Sequence, residues 1–409
     1  MSRHRFLFIL PFFPWPLTSG GHQGMFNSIR AVREYADIHL VYYAGQKDTN
    51  ARYHEELKRQ IGGNVEIHPY VDRPLHWTRS MAFRKIGNKL FKRIDYFSYL
   101  VFTKLHDAPY YDFVNHIIKE YQIDLVQIEM VENLDFVLTI PREVPCVFVH
   151  HELRYVRNAQ FLERYGKDSY REALCARERL QEISLLNRYD LILTVSEVDK
   201  AKLIEEGVTA PIHASFSIVN SEAVPLEENI AGSHTLTYVG PESHHANKVG
   251  LEWFMDKVWP LVKQRDNSFK VEIIGRWSSA TVAEWSRRYK DVHFLGFVDN
   301  LADALRGSTM IVPIFVGSGI RMKILESMSY GVPFVSTVVG AEGIPVEDGV
   351  HGYITDDPNQ FADDVILLEN PKAREEMRRK GRELVLARYS PEALARNKKD
   401  AYERLLGTL

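Results

Sequence analysis

The sequence has little cysteine and no long uninterrupted apolar run. Its 409 residues include two cysteines, Cys146 and Cys175, which are too few for a disulfide framework and lack the paired spacing of zinc ligands. A reducing compartment is therefore favoured, and the cytoplasm is the expected location. No segment reaches the roughly 20 consecutive apolar residues that span a bilayer, so a membrane-spanning helix is not expected.

Neither sign of charge dominates. Lys and Arg number 51 against 54 Asp and Glu, the formal net charge is -3, and 45% of the residues are hydrophobic. This composition is typical of a globular chain and argues against a disordered protein or one that binds nucleic acid through bulk charge. The length suits two domains of about 200 residues each.

The N-terminus imitates a secretory signal. Arg3 and Arg5 precede the apolar run 6–13, but Pro11 interrupts that run and no small-residue cleavage motif follows it. A buried first strand is therefore the favoured interpretation.

Short apolar runs alternate with amphipathic helical patterns, which predicts an α/β protein with parallel sheets covered by helices. The predicted strands are 6–10, 38–43, 124–128, 146–149, 191–195, 235–239, 269–274, 292–295, 310–315 and 333–336. Between the two halves, the polar segment 221–233 lacks periodicity and contains Pro225 and Gly232, so it is the predicted linker.

The linker divides the chain into a predicted N-terminal domain, 1–220, and a predicted C-terminal domain, 234–389. The last stretch, 390–409, is predicted to be a helix, with Ser390 as N-cap and Pro391 at the first helical position.

The region 73–104 breaks the alternating pattern because basic residues are interleaved there with aromatic ones. Such a segment can lie on an anionic membrane surface, which would make the protein peripheral at the inner face of the membrane. An inserted helical hairpin with a solvated basic face explains the same pattern, and the sequence does not separate the two.

The segment 310–343 reads as a buried strand, a glycine-rich turn, a helix from about residue 321 to 330 and another strand. A turn of this kind presents unpaired backbone N–H groups and the positive end of the helix dipole, which bind phosphate. Gly317, Ser318 and Gly319 are predicted to form that phosphate cradle.

Charged residues follow the turn. Arg321 and Lys323 fall in the first helical turn, where they can neutralise a diphosphate. Glu326 lies five residues beyond Arg321, about 7.5 Å along the helix, which suits a carboxylate that binds ribose hydroxyls. The sequence has neither a G-x-x-x-x-G-K-[ST] motif nor the third glycine of a dinucleotide fingerprint, and it has no D-x-D metal motif.

The run KILESMSYGVPFVST within 310–343 resembles the nucleotide-sugar loop of the GT-B retaining glycosyltransferases of the large family often called family 4, and the similarity extends over nearly the whole chain. The resemblance implies two Rossmann-like domains that face each other across a cleft, with the C-terminal helix crossing back to the N-terminal domain. It also implies that Glu326 binds the donor ribose and that the backbone of loop 315–320, including Ile320, approaches the sugar and diphosphate. Ser318 occupies the position of the family's first glutamate, which puts sugar selectivity in doubt.

Further positions match the family in the second half. Gly240 follows strand 235–239 and would allow close approach of substrate, while Asn247 and Lys248 lead into the next helix. The family arginine after this glycine is absent here, so Arg321, Lys323 and Lys248 are the candidate cations for the diphosphate.

Two other positions follow predicted strands in the second half. Gly275 ends one strand, and Phe297 and Val298 follow another, where similar enzymes cover the donor base. A loop hydrophobe of this kind is, however, more often a packing residue.

In the first half, Gly20 and Gly21 resemble the family's mobile glycine loop, which approaches the donor from the other domain. A helix is predicted after them, over 25–36. His151 matches the family histidine that touches the transferred sugar, whereas His150 is interpreted as a structural residue at a strand end.

The resemblance implies retaining transfer of a sugar from a nucleotide-diphosphate-sugar donor to a glycan or lipid-linked acceptor, with His151, Arg321 and Lys323 as catalytic residues. No metal, cofactor or nucleic-acid partner is expected, and the pathway is polysaccharide or glycoconjugate biosynthesis. Two alternatives stay open, a non-catalytic sugar-nucleotide-binding subunit and a nucleotide-sugar epimerase.

Overall fold

A computed structural model describes residues 3–44, 50–71, 106–216 and 230–407. The chain forms two compact units. The first unit comprises Met1–Thr194, Lys200–Ala214 and Lys398–Leu409, and the second comprises Val195–Asp199 and Ser215–Asn397. The basic region 73–104 lies outside the described residues, and so does the predicted linker as far as residue 229.

Within the described residues, the first unit contains a parallel seven-stranded sheet in the order β3-β2-β1-β4-β5-β6-β7. Its strands are β1 (His4–Leu10), β2 (Ala36–Ala44), β3 (Val65–Val71), β4 (Leu125–Glu129), β5 (Cys146–His150), β6 (Leu191–Thr194) and β7 (Ile212–Ala214). Its helices are α1 (Gly20–Arg30), α2 (Ala51–Ile61), α3 (Ala108–Glu120), α4 (Arg154–Tyr165), α5 (Ser169–Leu186) and, from Lys200 onward, α6 (Glu197–Glu205). A 3-10 segment, Val131–Leu138, follows β4.

Alternate side chains of β1 enter two different cores. Leu7 and Ile9 pack in one apolar cluster, whereas Phe6, Phe8 and Leu10 pack in another. Successive side chains of a strand point to opposite faces of its sheet, so both faces of this sheet are covered. The apolar run at the N-terminus is therefore a buried strand, as predicted.

In the described part of the second unit, the parallel sheet has six strands in the order β10-β9-β8-β11-β12-β13. The strands are β8 (Thr235–Val239), β9 (Lys270–Ile274), β10 (Val292–Gly296), β11 (Thr309–Val312), β12 (Phe334–Ser336) and β13 (Tyr353–Ile354). The helices are α7 (His245–Trp253), α8 (Trp259–Arg265), α9 (Ser279–Arg288), α10 (Leu301–Leu305), α11 (Met322–Ser329), α12 (Val338–Ala341), α13 (Pro358–Leu367) and α14 (Pro371–Arg388), with a π-helical turn, Phe254–Val258, before α8.

The last helix, α15 (Pro391–Leu406), begins as predicted, because the backbone N–H of Ala393 donates to Ser390 Oγ at 3.2 Å. Its residues from Lys398 onward belong to the first unit, where Ala401 and Tyr402 join the apolar cluster that contains Phe6. The crossing of this helix back to the N-terminal domain is thereby confirmed. None of the helices in the described ranges is both long and apolar enough to cross a bilayer.

Strand order reverses once in each sheet, between β1 and β4 in the first and between β8 and β11 in the second. At such a reversal the connections leave in opposite directions and open a crevice at the carboxyl ends of the two strands, where ligands of parallel α/β proteins bind. The residues that follow these four strands are therefore candidates for a ligand-binding site.

Candidate functional site

Gly240 directly follows β8 at the crevice of the second sheet. Its φ is 154°, and a Cβ at this position would lie 2.6 Å from Asn247 Nδ2 and 3.1 Å from Lys323 Nζ. Only glycine avoids both the strained backbone and the overlap. The structure thus brings together Gly240, Asn247 and Lys323, which are predicted site residues from separate segments of the sequence.

Asn247 links the segments that follow the two strands. Its side-chain amide donates to the Pro241 carbonyl at 3.0 Å, and its Oδ1 accepts from Lys323 Nζ at 3.2 Å. The helix that carries it, α7, lies directly on the end of β11, since a Cβ on Gly250 would come within 1.8 Å of the Pro313 carbonyl oxygen. The position of Asn247 is therefore set by a close helix–strand contact.

Lys323 lies over the sheet rather than away from it. Its Nζ is 4.5 Å from the centre of the Tyr238 ring and 3.4 Å from the Tyr238 hydroxyl. Burial, the largest cause, and the neighbouring charge of Arg321 together lower the pKa of this lysine to about 7, although the charge of Glu326 opposes them. The sequence predicts Lys323 in the first turn of the helix, but it does not predict the contact of this lysine with a strand residue.

Loop 317–320 turns through two glycines with positive φ, 143° at Gly317 and 72° at Gly319. Arg321 folds back onto this loop, and its Nη1 donates to the Ser318 carbonyl at 2.7 Å. Arg321 also occupies the N-cap position of α11, where a guanidinium has no acceptor atom for the first-turn amides. The N-terminus of α11 is therefore suited to an external anion.

Glu326 lies three residues after Lys323 on α11, so the two side chains are neighbours on one helix face. Its charge raises the pKa of Lys323 against the effect of burial, and, after burial, it also contributes to the raised pKa of Tyr330. The carboxylate and the ammonium thus share one local environment.

Lys248 forms an ion pair with Glu242, at 3.0 Å. The Glu242 carboxylate also accepts from the Ser278 backbone N–H and the Thr281 hydroxyl, each at 2.6 Å. Burial alone would raise the pKa of Glu242, but these hydrogen bonds lower it to about 2. Glu242 therefore stays ionised and holds Lys248 close to the end of β8.

The neighbouring strand ends are joined through glycines. Gly275 donates its N–H to the Gly296 carbonyl at 2.8 Å, and a Cβ on Gly275 would lie 2.6 Å from the Gly240 carbonyl oxygen. After β10, the Phe297 side chain is 66% exposed, whereas Val298 packs against the apolar cluster around Ile274 and Ile324. Of this predicted pair, Phe297 is exposed and can cover a ligand, whereas Val298 is half-buried at the margin of the core.

Gly20 and Gly21 do not form a loop in the first unit. They are the first two residues of α1, which begins five residues before the predicted start at residue 25. Ser19 explains this early start, because its Oγ accepts from the His22 backbone N–H at 3.3 Å and so caps the helix. The prediction of a glycine loop at these positions is corrected accordingly.

His151 follows β5 and contacts a buried carboxylate. Its Nε2 lies 2.5 Å from Glu129 Oε2, and the two side chains are 17% and 0% exposed. The imidazole also packs against α1, where a Cβ on Gly24 would lie 3.2 Å from His151 Cε1. The predicted sugar-contacting histidine is therefore fixed on two sides while one edge stays open.

Glu129 stands within a buried polar network. Ser28 Oγ donates to Glu129 Oε1 at 2.7 Å and accepts from Lys398 Nζ at 2.6 Å. Lys398 also contacts the Tyr402 hydroxyl at 3.3 Å, and that hydroxyl donates to Gln127. The C-terminal helix thus supplies a cation and a hydroxyl beneath His151.

The charges in this network stabilise each other. Burial alone would raise the pKa of Glu129, but the hydrogen bond and charge of His151, the charge of Lys398 and the Ser28 hydroxyl lower it overall. Burial lowers the pKa of Lys398 to about 8, although Glu129 opposes that shift.

The Glu129 network was not predicted from the sequence, but β4 contains a pattern that indicates it. Gln127 and Glu129 are two residues apart in a strand that is otherwise apolar and buried on both faces. Buried polar side chains require partners, so this pair could have indicated a functional network.

His150, by contrast, pairs with a different glutamate. Its Nε2 lies 2.8 Å from Glu182 Oε1, and both side chains are almost fully buried. This environment agrees with the interpretation of His150 as a structural residue.

The residue after Glu129 has an unusual backbone conformation. Met130 has φ 66° and ψ 150°, a region that is occupied almost entirely by glycine and costs other residues about 1–3 kcal/mol. Strain of this kind clusters at functional sites. It occurs here at the carboxyl end of β4, beside the crevice of the first sheet.

The comparisons with known proteins identify one family model within the second unit. Residues 233–370 match the family model described as "Glycosyl transferases group 1". The matched segment runs from β8 through α13 and contains Gly240, Lys323 and Glu326.

Solved structures with the same fold cover nearly the whole chain. A variant of S. aureus TarM, in complex with fondaparinux, alpha-GlcNAc-glycerol and UDP, has a TM-score of 0.70 at 12% identity and covers 98% of this chain and 99% of its own. Sucrose-phosphate synthase from Thermosynechococcus elongatus gives 0.71 at 13%, over 99% of each chain. Anabaena HepE in complex with UDP-glucose gives 0.64 at 13%, over 98% of this chain and 99% of its own.

One curated relative is also similar over part of its length. It is described as an uncharacterized 44.6 kDa protein in the cps region of Klebsiella pneumoniae and is 24% identical over 166 residues. The match takes in 36% of this chain and spans 43% of that relative.

The likeness to the solved structures shows the fold. The chain has the two-domain GT-B fold of glycosyltransferases, and its segment 233–370 matches the group 1 glycosyl transferases.

Proposed function

We propose that this protein is a retaining glycosyltransferase that moves a sugar from a nucleotide-diphosphate donor to a hydroxyl of a glycan or lipid-linked acceptor. The observation that carries the proposal is the arrangement at the crevice of the second sheet. There Lys323 lies with Asn247 beside Gly240, on a helix whose N-terminus is suited to an anion. Backbone amides, a helix dipole and cations at one place favour a diphosphate.

In this proposal, the diphosphate binds to the first-turn amides of α11 and to loop 317–320. Lys323 provides positive charge directly, while Arg321 holds the loop and adds to the local potential. Glu326 accepts hydrogen bonds from the ribose, and the exposed Phe297 covers the base. The backbone at Ser318 and Ile320 approaches the transferred sugar.

His151 has a separate part in the proposed reaction. Its imidazole hydrogen-bonds a hydroxyl of the transferred sugar, and Glu129 fixes the orientation of the ring. A carboxylate that accepts from one ring nitrogen determines which nitrogen faces the ligand.

The reaction forms one bond and breaks one. The acceptor oxygen bonds to the anomeric carbon on the same face that the diphosphate leaves, so configuration is retained. The electron pair of the breaking carbon–oxygen bond goes to the diphosphate, which also takes the acceptor proton. The protein contributes positioning and positive charge, and these are large sources of rate enhancement.

The test begins with binding of nucleotide-sugars to the purified full chain. UDP-glucose is the first probe, since HepE was solved with it, and GDP- and ADP-sugars follow. The donor that binds is then incubated with glycan and lipid-linked acceptors, and the anomeric configuration of the product is read by NMR. A product with the configuration of the donor supports the proposal, and an inverted product contradicts it.

Two other outcomes would select the alternatives. Isomerisation of the donor sugar without any acceptor would indicate an epimerase. Tight donor binding with no transfer to any acceptor would indicate a binding subunit, for which the replacement of the first family glutamate by Ser318 is the motivating observation.

A further inference from the structure

Three potential metal ligands lie together at one edge of the first sheet. His39 on β2 is directly opposite Glu66 on β3. His68 follows Glu66 by two residues on the same strand, and residues two apart in a strand share a face. The three side chains therefore project from one face of two adjacent strands at the edge of the sheet.

The ligand atoms of the three residues already converge. His39 Nδ1 is 3.2 Å from His68 Nε2 and 3.9 Å from Glu66 Oε2, and all three atoms lie within 4.8 Å of one another. In a tetrahedral site with metal–nitrogen bonds of about 2.0–2.1 Å, ligand atoms are about 3.3 Å apart. Small side-chain rotations would bring this set to that spacing.

The surroundings also suit a metal ion. The side chain of His39 is 6% exposed and that of Glu66 is 47% exposed, so the cluster is closed toward the sheet and open toward solvent. The Tyr121 ring lies 4.6 Å from the His39 ring and 4.9 Å from the His68 ring, and Tyr121 also hydrogen-bonds Glu66.

We propose that His39, Glu66 and His68 bind one divalent transition-metal ion of the zinc class, with solvent completing the coordination. Two imidazoles and one carboxylate are a common ligand set for zinc and similar ions. Tyr121 hydrogen-bonds the Glu66 carboxylate. In metal sites, hydrogen bonds of this kind from residues behind the ligands orient the ligands toward the ion. The proposal concerns a site in the first unit and does not depend on the proposed transferase activity.

The experiment is a Zn²⁺ titration of the tag-free, metal-stripped full chain, followed by calorimetry. One equivalent is expected to bind, and His68→Gln and Glu66→Gln are each expected to weaken binding at least tenfold, since even outer-sphere changes cost about 10–100-fold in metal affinity. These two variants are chosen because His39 is buried and its replacement could disturb folding. Co²⁺ should give visible bands whose intensity indicates four-coordination in the parent protein and not in the variants.

His234 provides a matched control. It lies 3.5 Å from both Asp266 and Glu369, but through opposite ring nitrogens, so its two carboxylates cannot share one ion with it. His234→Gln is therefore expected to leave zinc binding unchanged. The proposal is overturned if the parent chain binds no zinc in the micromolar range, or if the His68 and Glu66 variants bind as tightly as the parent.

Discussion

At the scale of single residues, two consecutive histidines at the end of β5 each contact a glutamate, but the two pairs differ in their exposure to solvent. His150 and Glu182 form a pair with almost no solvent exposure, whereas His151 keeps an open edge above Glu129. Both pairs place an imidazole on a carboxylate, so one serves as the control for the other.

We expect Glu129→Gln to reduce kcat by about 100-fold, because a displaced catalytic contact of this kind can cost that factor, while the KM for the donor changes little. Glu182→Gln is expected to lower thermal stability but to leave kcat within a few-fold of the parent. Steady-state kinetics and thermal unfolding of both variants make the comparison. Equal losses of kcat would mean that Glu129 acts only through folding.

Lys323 gives a prediction about pH. Its pKa of about 7 must rise when a diphosphate binds, because the anion stabilises the protonated ammonium. Below that pKa the lysine is already protonated, whereas above it binding must take up a proton. The affinity for the donor should therefore fall as pH rises from 6 to 9.

Calorimetry with a UDP-sugar tests this dependence, since the diphosphate diester does not titrate in this range. Lys323→Arg should bind with no such pH dependence, because arginine stays charged, and Lys323→Met should bind weakly at every pH. A parent protein with constant affinity across the range would show that Lys323 does not contact the diphosphate.

Glu326→Ala should weaken nucleotide binding about 10- to 150-fold. Charge-assisted hydrogen bonds to ribose hydroxyls contribute about 1.5–3 kcal/mol, which corresponds to that range. Calorimetric titration with the nucleoside diphosphate measures the effect, with the exposed Glu284→Ala as the control. If affinity survives in Glu326→Ala, the ribose contact belongs to another residue.

At the scale of elements, α14 supports the end of α11 that is remote from the candidate site. Arg378 Nε donates to the Gly331 carbonyl at 2.6 Å, and Arg382 Nη1 donates to the Ser329 carbonyl at 2.5 Å. Carbonyl groups at a helix C-terminus carry the negative end of the dipole, so buried cations stabilise them. The orientation of α11, and with it the anion-binding terminus, depends on these contacts.

Arg382→Ala is therefore expected to lower the free energy of unfolding of the second unit by about 1.5–3 kcal/mol, the usual contribution of a hydrogen bond to a charged group. Arg379→Ala, on the exposed face of the same helix, should change it by less than about 1 kcal/mol, because its ion pair with Glu383 is exposed. Urea unfolding of the full chain provides the measurement. Similar losses in the two variants would contradict a specific role for Arg382.

The elements that the sequence predicted well are the central strands. The apolar runs at 235–239 and 6–10 are long, buried on both faces and bounded by turn residues, so periodicity and length both identify them. The predicted strand 310–315 ends at Val312 instead, since Pro313 cannot donate to the ladder.

Three strands, β3, β7 and β13, were not predicted. β3 is at a sheet edge and half exposed, contains Pro69 and alternates weakly, while β7 and β13 have three and two residues. Their pairing is determined by neighbouring strands rather than by their own sequence.

At the scale of the whole molecule, the sequence predicted which residues lie in the candidate site better than it predicted the contacts between them. A glycine-rich turn before a helix is a local pattern, so Gly317 and Glu326 could be chosen directly. The contact of Lys323 with Tyr238 and the network that joins Lys398 to Ser28 connect residues far apart in the chain, and no local pattern encodes them.

Metal dependence is a prediction about the proposed transferase as a whole. If α11 and its cations serve in place of a divalent ion, transfer should continue in EDTA. Loss of activity that Mg²⁺ or Mn²⁺ restores would contradict this, because those ions bind donor diphosphates. The same EDTA assay is run on His68→Gln, so that a loss of activity caused by removing zinc from the sheet edge can be told apart from a loss caused by removing a metal from the donor site.

The participation of Lys398 and Tyr402 in the first unit has a consequence for protein synthesis. The ribosome makes these residues about 180 residues after Ala214, the last residue of the preceding part of that unit. At about 5–20 residues per second, roughly 10–40 seconds pass between the synthesis of Ala214 and that of Lys398, the partner of Ser28 and Glu129. During that interval the first unit lacks the lysine whose charge stabilises the Glu129 carboxylate, so we expect this unit to complete its folding only after Lys398 and Tyr402 have been synthesised.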